Sequence, residues 1–323
     1  MRVIRALALE SDVNAYASAP RSIIVRDGLS GRELSTVELG PAFEARHGAP
    51  YLTIHRGDLQ RVMIERAERD GIQIKLGYEA ESRRGKATYF ANGASATPDL
   101  TVVSDGIHSK LVGEGSAQRP SGFAAWRATC GSAEISVVRG RSQTNLWLMP
   151  NAHLVRYPIH SGQTLNYVLV LQSGRSPSDE GLAPIVEKAV RHLSDWRDWP
   201  IEDRVVRSPW SDTGFAVIGD AAHAMWPYAA QGGAMAIEDG WTLAATVARA
   251  GCGEASLAGW ETERRRRVDA VAAISRRNRR IYHAGGMVRF GRNLAMRTIP
   301  SKILLRGMDR SYSWVPPVIR SSP

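Results

Sequence analysis

The chain is poor in the residues that would tie it to a covalent or metal scaffold. Its two cysteines, Cys130 and Cys252, lie far apart and without metal-ligand spacing. They support neither a disulfide framework nor a zinc site, and a reducing cytoplasm is the expected compartment. No stretch approaches the ~18 consecutive apolar residues of a membrane span. The opening MRVIRALALESDV lacks the unbroken apolar core and small-residue cleavage site of a secretory signal. No finger, RNP-like or basic-zipper pattern occurs, which argues against nucleic acid as a partner. A G-x-G-x-x-G is also missing. Gly113-Glu114-Gly115 comes nearest, but it has no third glycine in register and no strand before it.

What is present is a globular composition. With 323 residues, 43% hydrophobic and 23% charged, the chain is long enough for two domains and a sizeable core. The net charge of +10 is carried mostly by arginine. It leaves open a generally basic surface, attraction of small anions, or a basic interaction protein using its arginine-rich helix.

The most informative stretch is Gly214 to Ala250, GFAVIGDAAHAMWPYAAQGGAMAIEDGWTLAATVARA. Phe215 to Ile218 reads as a strand covered on both faces. A tight Gly219-Asp220 turn follows, and after Pro227 and Gln231-Gly232-Gly233 an Ala-rich helix begins. A carboxylate at the carboxyl end of a parallel strand can accept hydrogen bonds from sugar or polyol hydroxyls. Glycines at a helix start let a planar or anionic group approach unpaired N–H groups. Locally, an ordinary strand-to-helix crossover fits equally well.

Elsewhere, residues 2 to 10 read as one short helix. Ser22-Val25 and Leu34-Leu39 flank Asp27-Gly28-Leu29-Ser30-Gly31 as an antiparallel hairpin. A helix capped by Thr53 or Asp58 runs to Ala67, with Arg56 at its start, facing a ligand or paired with Asp58 or Glu65. Gly71-Leu76 and Leu100-Val103 read as strands, the second central. Phe123-Ala128, Thr144-Leu148, His153-Tyr157 and Asn166-Leu171 alternate as an antiparallel sheet. His153 and Tyr157 share one face, where His153 is either a base or orienter for a bound phenol or a sheet histidine bonded to a neighbour. Leu257 to Ile281 is a helix whose arginines, Arg264-Arg267 and Arg276-Arg280, read as a solvated face. The tail carries an Ile303-Leu304-Leu305 patch suited to a strap over the core or a subunit contact.

Three segments together resemble one family. GDAAHAMWPYAAQGGAMAIEDG, Ile54-His55-Arg56-Gly57-Asp58-Leu59-Gln60 and Asp99 to Lys110 are similar, in family order, to the motifs of the class A flavin-dependent aromatic hydroxylases, which include salicylate and 3-hydroxybenzoate hydroxylases. The resemblance implies FAD and NAD(P)H as cofactors and hydroxylation of a small aromatic acid with O2. Cofactor contacts then fall to Arg56, Asp105, Gly219, Asp220, Gln231, Gly232 and Gly233, and substrate or catalytic positions to His153, Tyr157 and Pro227. It departs from the family in two respects. Val103-Ser104 precede Asp105 where Gly-Ala is usual, and no arginine follows Ser109 closely, which puts the pyridine-nucleotide contact in question.

The implied fold is α/β, a Rossmann-like FAD-binding domain whose first βαβ unit is missing, with an inserted, mostly antiparallel β substrate domain and C-terminal helices. Residues 1–115 and 205–255 would form the incomplete FAD domain, with hairpin 22–39 joining the substrate sheet. Residues 116–204 would form the substrate domain and 256–323 the helical end. The expected protein is a cytoplasmic enzyme with an N-terminally incomplete flavin domain, with a homodimer as its assembly and no nucleic-acid or membrane partner. The alternative is a non-catalytic remnant that binds FAD poorly.

Overall fold

The computed structural model describes residues 1–112, 116–131, 142–178, 183–206 and 209–319; Gly113-Glu114-Gly115 lies outside them. The strands are β1 (Ser22–Asp27), β2 (Glu33–Glu38), β3 (Ala80–Arg84), β4 (Ala87–Phe90), β5 (Ser95–Ala96), β6 (Thr101–Val103), β7 (Ser116–Gly131), β8 (Gln143–Met149), β9 (Ala152–Ile159), β10 (Thr164–Gln172), β11 (Arg197–Val206), β12 (Ser211–Asp212) and β13 (Phe215–Val217). The α-helices are α1 (Arg2–Ala6), α2 (Glu10–Tyr16), α3 (Pro41–His47), α4 (Arg56–Arg69), α5 (Pro184–Val190), α6 (Asp220–His223), α7 (Gly232–Ala250), α8 (Glu254–Tyr282), α9 (Gly286–Thr298), α10 (Ser301–Gly307) and α11 (Asp309–Tyr312). The chain divides into two compact units. One comprises Met1–Gly71, Gly122–Ile201 and Arg277–Trp314, and the other Ile72–Ser121, Glu202–Arg276 and Val315–Pro323.

The first unit is built on a seven-stranded sheet of order β11-β7-β10-β9-β8-β1-β2. Strands β7, β10, β9 and β8 pair antiparallel. The β1-β2 hairpin joins through a parallel β1-β8 pairing. Period-two alternation sends Trp147, Leu154, Tyr167, Leu169 and Leu171 into one core with Val186 and Val190 of α5. At the other end, Leu304 and Leu305 of α10 pack on Val37, Leu39 and Phe43, so the tail straps this unit's own core.

In the second unit β13 lies between β12 and β6, antiparallel to the first and parallel to the second. Phe215 and Val217 face a core with Val103, Ala221, Ala222 and Val268. Ala216 faces the other way, onto Leu243, Leu257 and Trp260 of α7 and α8. Both faces are covered, which is why this strand is uniformly apolar.

The structure corrects several expectations. Residues 2–10 are not one helix: α1 stops at Ala6 and α2 starts at Glu10, because Ala8 has φ 55° and Leu9 turns inward onto Ile4, Val13 and Val62. Helix α4 opens at Arg56, and neither Thr53 nor Asp58 caps it. Gly71-Leu76 is not a strand. Its sequence alternates, but no described strand pairs with it, and Ile72, Ile74 and Leu76 stand exposed. Nor is β6 central: it is the edge of its sheet, and Val102 is 41% exposed.

Burial separates two leucines that look alike in the sequence. Leu169 is fully buried and Leu76 is 88% exposed. Leu169→Ala should cost about 2–5 kcal/mol, whereas Leu76→Ser should stay within about 0.5 kcal/mol of the parent. Urea unfolding of both variants checks the contrast; equal losses would contradict this core.

Candidate functional site

The second unit gathers the predicted cofactor residues other than Arg56 at the carboxyl edge of its parallel strands. Val217 pairs with Val103 and the Ile218 N–H donates to the Val103 carbonyl at 2.9 Å. Asp105 and Gly219-Asp220 therefore leave the same edge of the sheet, where open α/β sheets bind ligands. Asp105 and Asp220 are both exposed, whereas Gly219 and Gln231 are buried. Gln231 is the N-cap of α7 and makes no side-chain cap bond, so the helix presents unpaired N–H groups. A Cβ on Gly232 would meet only Asp220 Oδ1, at 4.0 Å, and one on Gly233 would meet nothing. Asp220, Gly232 and Gly233 thus enclose one accessible corner. Exposed Pro227 opens the 3-10 turn Pro227–Ala229 just before it, whose Tyr228 is buried.

The turn is held from behind by a buried carboxylate. Asp239, 1% exposed, accepts the Gly219 N–H at 2.9 Å and the His223 Nε2–H at 2.6 Å on Oδ2. Its Oδ1 accepts Arg264 Nε–H at 2.8 Å. Arg264 also donates to Glu238, as Arg267 does through two nitrogens. Burial pushes the Asp239 carboxyl up, but the His223 bond and charge, Arg264 and the Gly219 N–H together hold it below its ordinary value. Gly219 itself needs φ 60°, and a Cβ there would sit 3.2 Å from Ala236 Cβ, so only glycine fits. On its other side His223 borders a cavity of about 100 Å³ with Trp210 and Asp203.

This network corrects the reading of Arg264-Arg267 as a solvated face. Arg264 is 2% exposed and neutralises buried acids, while Arg266 is exposed. Glu238 and Asp239 in an otherwise apolar helix were the available signal, since buried acids need cationic partners. Sequence reasoning also missed Arg204 of β11. It donates to the carbonyls of Ile107 at 2.7 Å and Ser109 at 3.2 Å, fixing the segment that follows Asp105.

The remaining predicted residues belong to the first unit. Arg56 is exposed at the first position of α4; Asp58 pairs with Arg61 instead. His153 is buried on β9, its Nδ1 2.9 Å from His283 Nε2, the neighbour bond that one of its two readings requires. Half-buried Tyr157 lies four residues further along the same face, beyond Val155. Burial raises Tyr157, Tyr51 and Tyr282, the last to about 12. No local pattern in the sequence singles out Tyr282 or His283.

Burial first, and neighbouring charge second, hold both histidines low, His283 at about 4. The folded pair stays neutral while the unfolded chain takes up protons below about 6.5. Stability is complete above that pH and should fall as pH drops from 6.5 toward 4, read from urea midpoints, with a shallower fall in His283→Gln. The Asp239 contribution has the same sign at lower pH: it is present above about 3.9 and is lost only as pH falls through its lower folded value. Arg264→Ala should destabilise by about 3–5 kcal/mol by stranding two buried carboxylates. Arg266→Ala should leave the same unfolding curve unchanged.

Residues 1–278 match the protein-family model described as FAD binding domain. A 3-hydroxybenzoate 6-hydroxylase from Klebsiella oxytoca is 29% identical over 316 residues, 90% of this chain and 79% of that protein. Among solved structures, Klebsiella pneumoniae HpxO complexed with FAD and uric acid superposes with a TM-score of 0.81 at 23% identity, covering 95% of this chain and 83% of that one. A salicylate hydroxylase substrate complex gives 0.77 at 19%, covering 98% and 89%. Both show the same fold.

Proposed function

The chain belongs to the FAD-binding domain family, and on that premise we propose that it is a FAD-dependent monooxygenase that hydroxylates a small aromatic acid using NAD(P)H and O2. The observation that carries this reading is the corner formed by exposed Asp220 and the uncapped, glycine-led start of α7. It suits a polyol chain beside a planar ring. Bound FAD supplies hydride acceptance and oxygen activation. Asp220 accepts hydrogen bonds from the ribityl hydroxyls, and the N–H groups at Gly232 and Gly233 face the electron-rich N1–C2 edge of the flavin. Gly219 and Gln231 set the turn and the helix start, Pro227 shapes the pocket wall beside the ring, and Asp105 serves the junction of the flavin and dinucleotide halves. Arg56 is assigned to the flavin edge or phosphates. His153 and Tyr157 orient the substrate phenol, in a region dry enough to keep imidazole neutral and tyrosine protonated.

The name of the Klebsiella oxytoca relative supports a hydroxybenzoate-like substrate. No helix among the described residues is long and apolar enough to cross a membrane. Cys130 and Cys252 form no disulfide, which suits a reducing cytoplasm as the site of action. The exposed apolar face of Met287, Val288, Phe290 and Leu294 on α9 supports a homodimer. A second reading, a flavin site too weak to turn over, is favoured by one fact: these 323 residues contain no G-x-G-x-x-G.

Purified protein should retain or take up FAD and consume NADH or NADPH faster when an aromatic acid is added. A chain that binds no flavin at micromolar FAD would favour the second reading. Asp220→Ala should weaken FAD about 10- to 100-fold, since hydrogen bonds to a charged group are worth about 1.5–3 kcal/mol. Flavin fluorescence titration measures this, and unchanged affinity would remove Asp220 from the site.

A further inference from the structure

In the first unit three side chains that the flavin chemistry does not use converge at the surface. His55 immediately precedes α4, Asp58 lies in its first turn, and His160 opens the 3-10 turn between β9 and β10. One ligand atom from each lies within 4.8 Å of the other two. We propose that His55, Asp58 and His160 form a binding site for a divalent first-row transition cation, with Zn²⁺ the natural probe.

Four observations carry this. First, Asp58 Oδ2 lies 3.0 Å from His160 Nε2, yet that oxygen is buried without a hydrogen-bond partner: the two atoms are close but do not meet in hydrogen-bonding directions. Second, the outer contacts point the donors at one another. His160 Nδ1 lies 3.1 Å from Thr164 Oγ1, so a proton on Nδ1 leaves the Nε2 lone pair available to an ion. Arg61 donates to the other Asp58 oxygen at 3.0 Å, leaving Oδ2 for the ion. Partners of this kind orient metal ligands. Third, bonds of about 2.0–2.1 Å to nitrogen and oxygen put neighbouring tetrahedral ligands about 3.3 Å apart. The His160–Asp58 spacing is already close to that, and exposed His55 closes the third position by side-chain rotation. Fourth, Gly57 gives the His55 ring room, since a Cβ there would stand 3.2 Å from the ring.

Two imidazoles and one carboxylate select zinc, cobalt or nickel over magnesium and calcium, which take oxygen ligands. Three protein ligands leave one position for water. The nearby Arg56 and Arg61 and the positive end of α4 oppose a cation, so binding should be micromolar.

The test is equilibrium dialysis of the full chain, stripped with EDTA, against Zn²⁺ at pH 7.5. One Zn²⁺ per chain with a micromolar Kd is expected. His160→Gln, Asp58→Asn and His55→Ala should each weaken it at least 10-fold, and His108→Ala, at an exposed histidine elsewhere, should not. Circular dichroism of the metal-free variants establishes that they fold; should Asp58→Asn unfold, exposed His55 and His160 carry the comparison. No saturable binding, or binding indifferent to these variants, means that the Asp58–His160 contact is all the cluster forms, and overturns the proposal.

Discussion

The second unit depends on one carboxylate. Asp239 receives the Gly219 N–H, the His223 imidazole and the Arg264 guanidinium, joining the loop that leaves β13, helix α6 and two long helices at a single buried point. With Glu238 and Arg267 the cluster holds two acids and two guanidinium groups, so its formal charge balances. Replacing one member leaves its partners charged and dry, which is why such clusters fail as a whole. The loop bearing Asp220 is thus exposed at its tip and fixed at its base. A cofactor site needs both, since it must be open to a ligand and already in position for it.

The sequence made the elements with a clear period legible. Strands β1, β2 and β7 to β10 and helices α4, α7 and α8 were readable because their apolar residues recur at two or at three to four positions, with a neighbouring element covering that face, and β13 because its unbroken apolar run is covered on both faces. The placement of Asp220, Gly232 and Gly233 was legible because an acid after an apolar strand and paired glycines before an Ala-rich run mark the strand end and the helix start, and the three-motif resemblance singled it out from an ordinary crossover. Periodicity misled where no partner exists. Ile72, Ile74 and Leu76 alternate like a strand but no described strand pairs with them, and β6 has a neighbour on one side alone. Charge misled where it was read alone. Arg264 and Arg266 are indistinguishable in a basic run, and the acids two turns into another helix decide which one is buried. Tyr282 and His283 were invisible because their significance comes from β9, over a hundred residues earlier in the chain.

The first unit shows a different use of burial. His153, His283, Tyr51, Tyr157 and Tyr282 all have their charged forms disfavoured by lost hydration, so these five side chains keep their polar atoms while carrying no charge themselves. Neutral donors and acceptors in a dry setting suit recognition of a phenol, whose hydroxyl can both give and accept a bond.

Gly219 has a consequence beyond geometry. Its backbone requires a positive φ, its missing Cβ leaves space for Ala236, and its N–H is one of the bonds that hold Asp239. Three demands fall on a residue with no side chain and no chemistry of its own. Any nucleotide change that replaces it would meet the first two at once, so this position should be closed to drift, and gene libraries built to alter substrate range are better spent elsewhere.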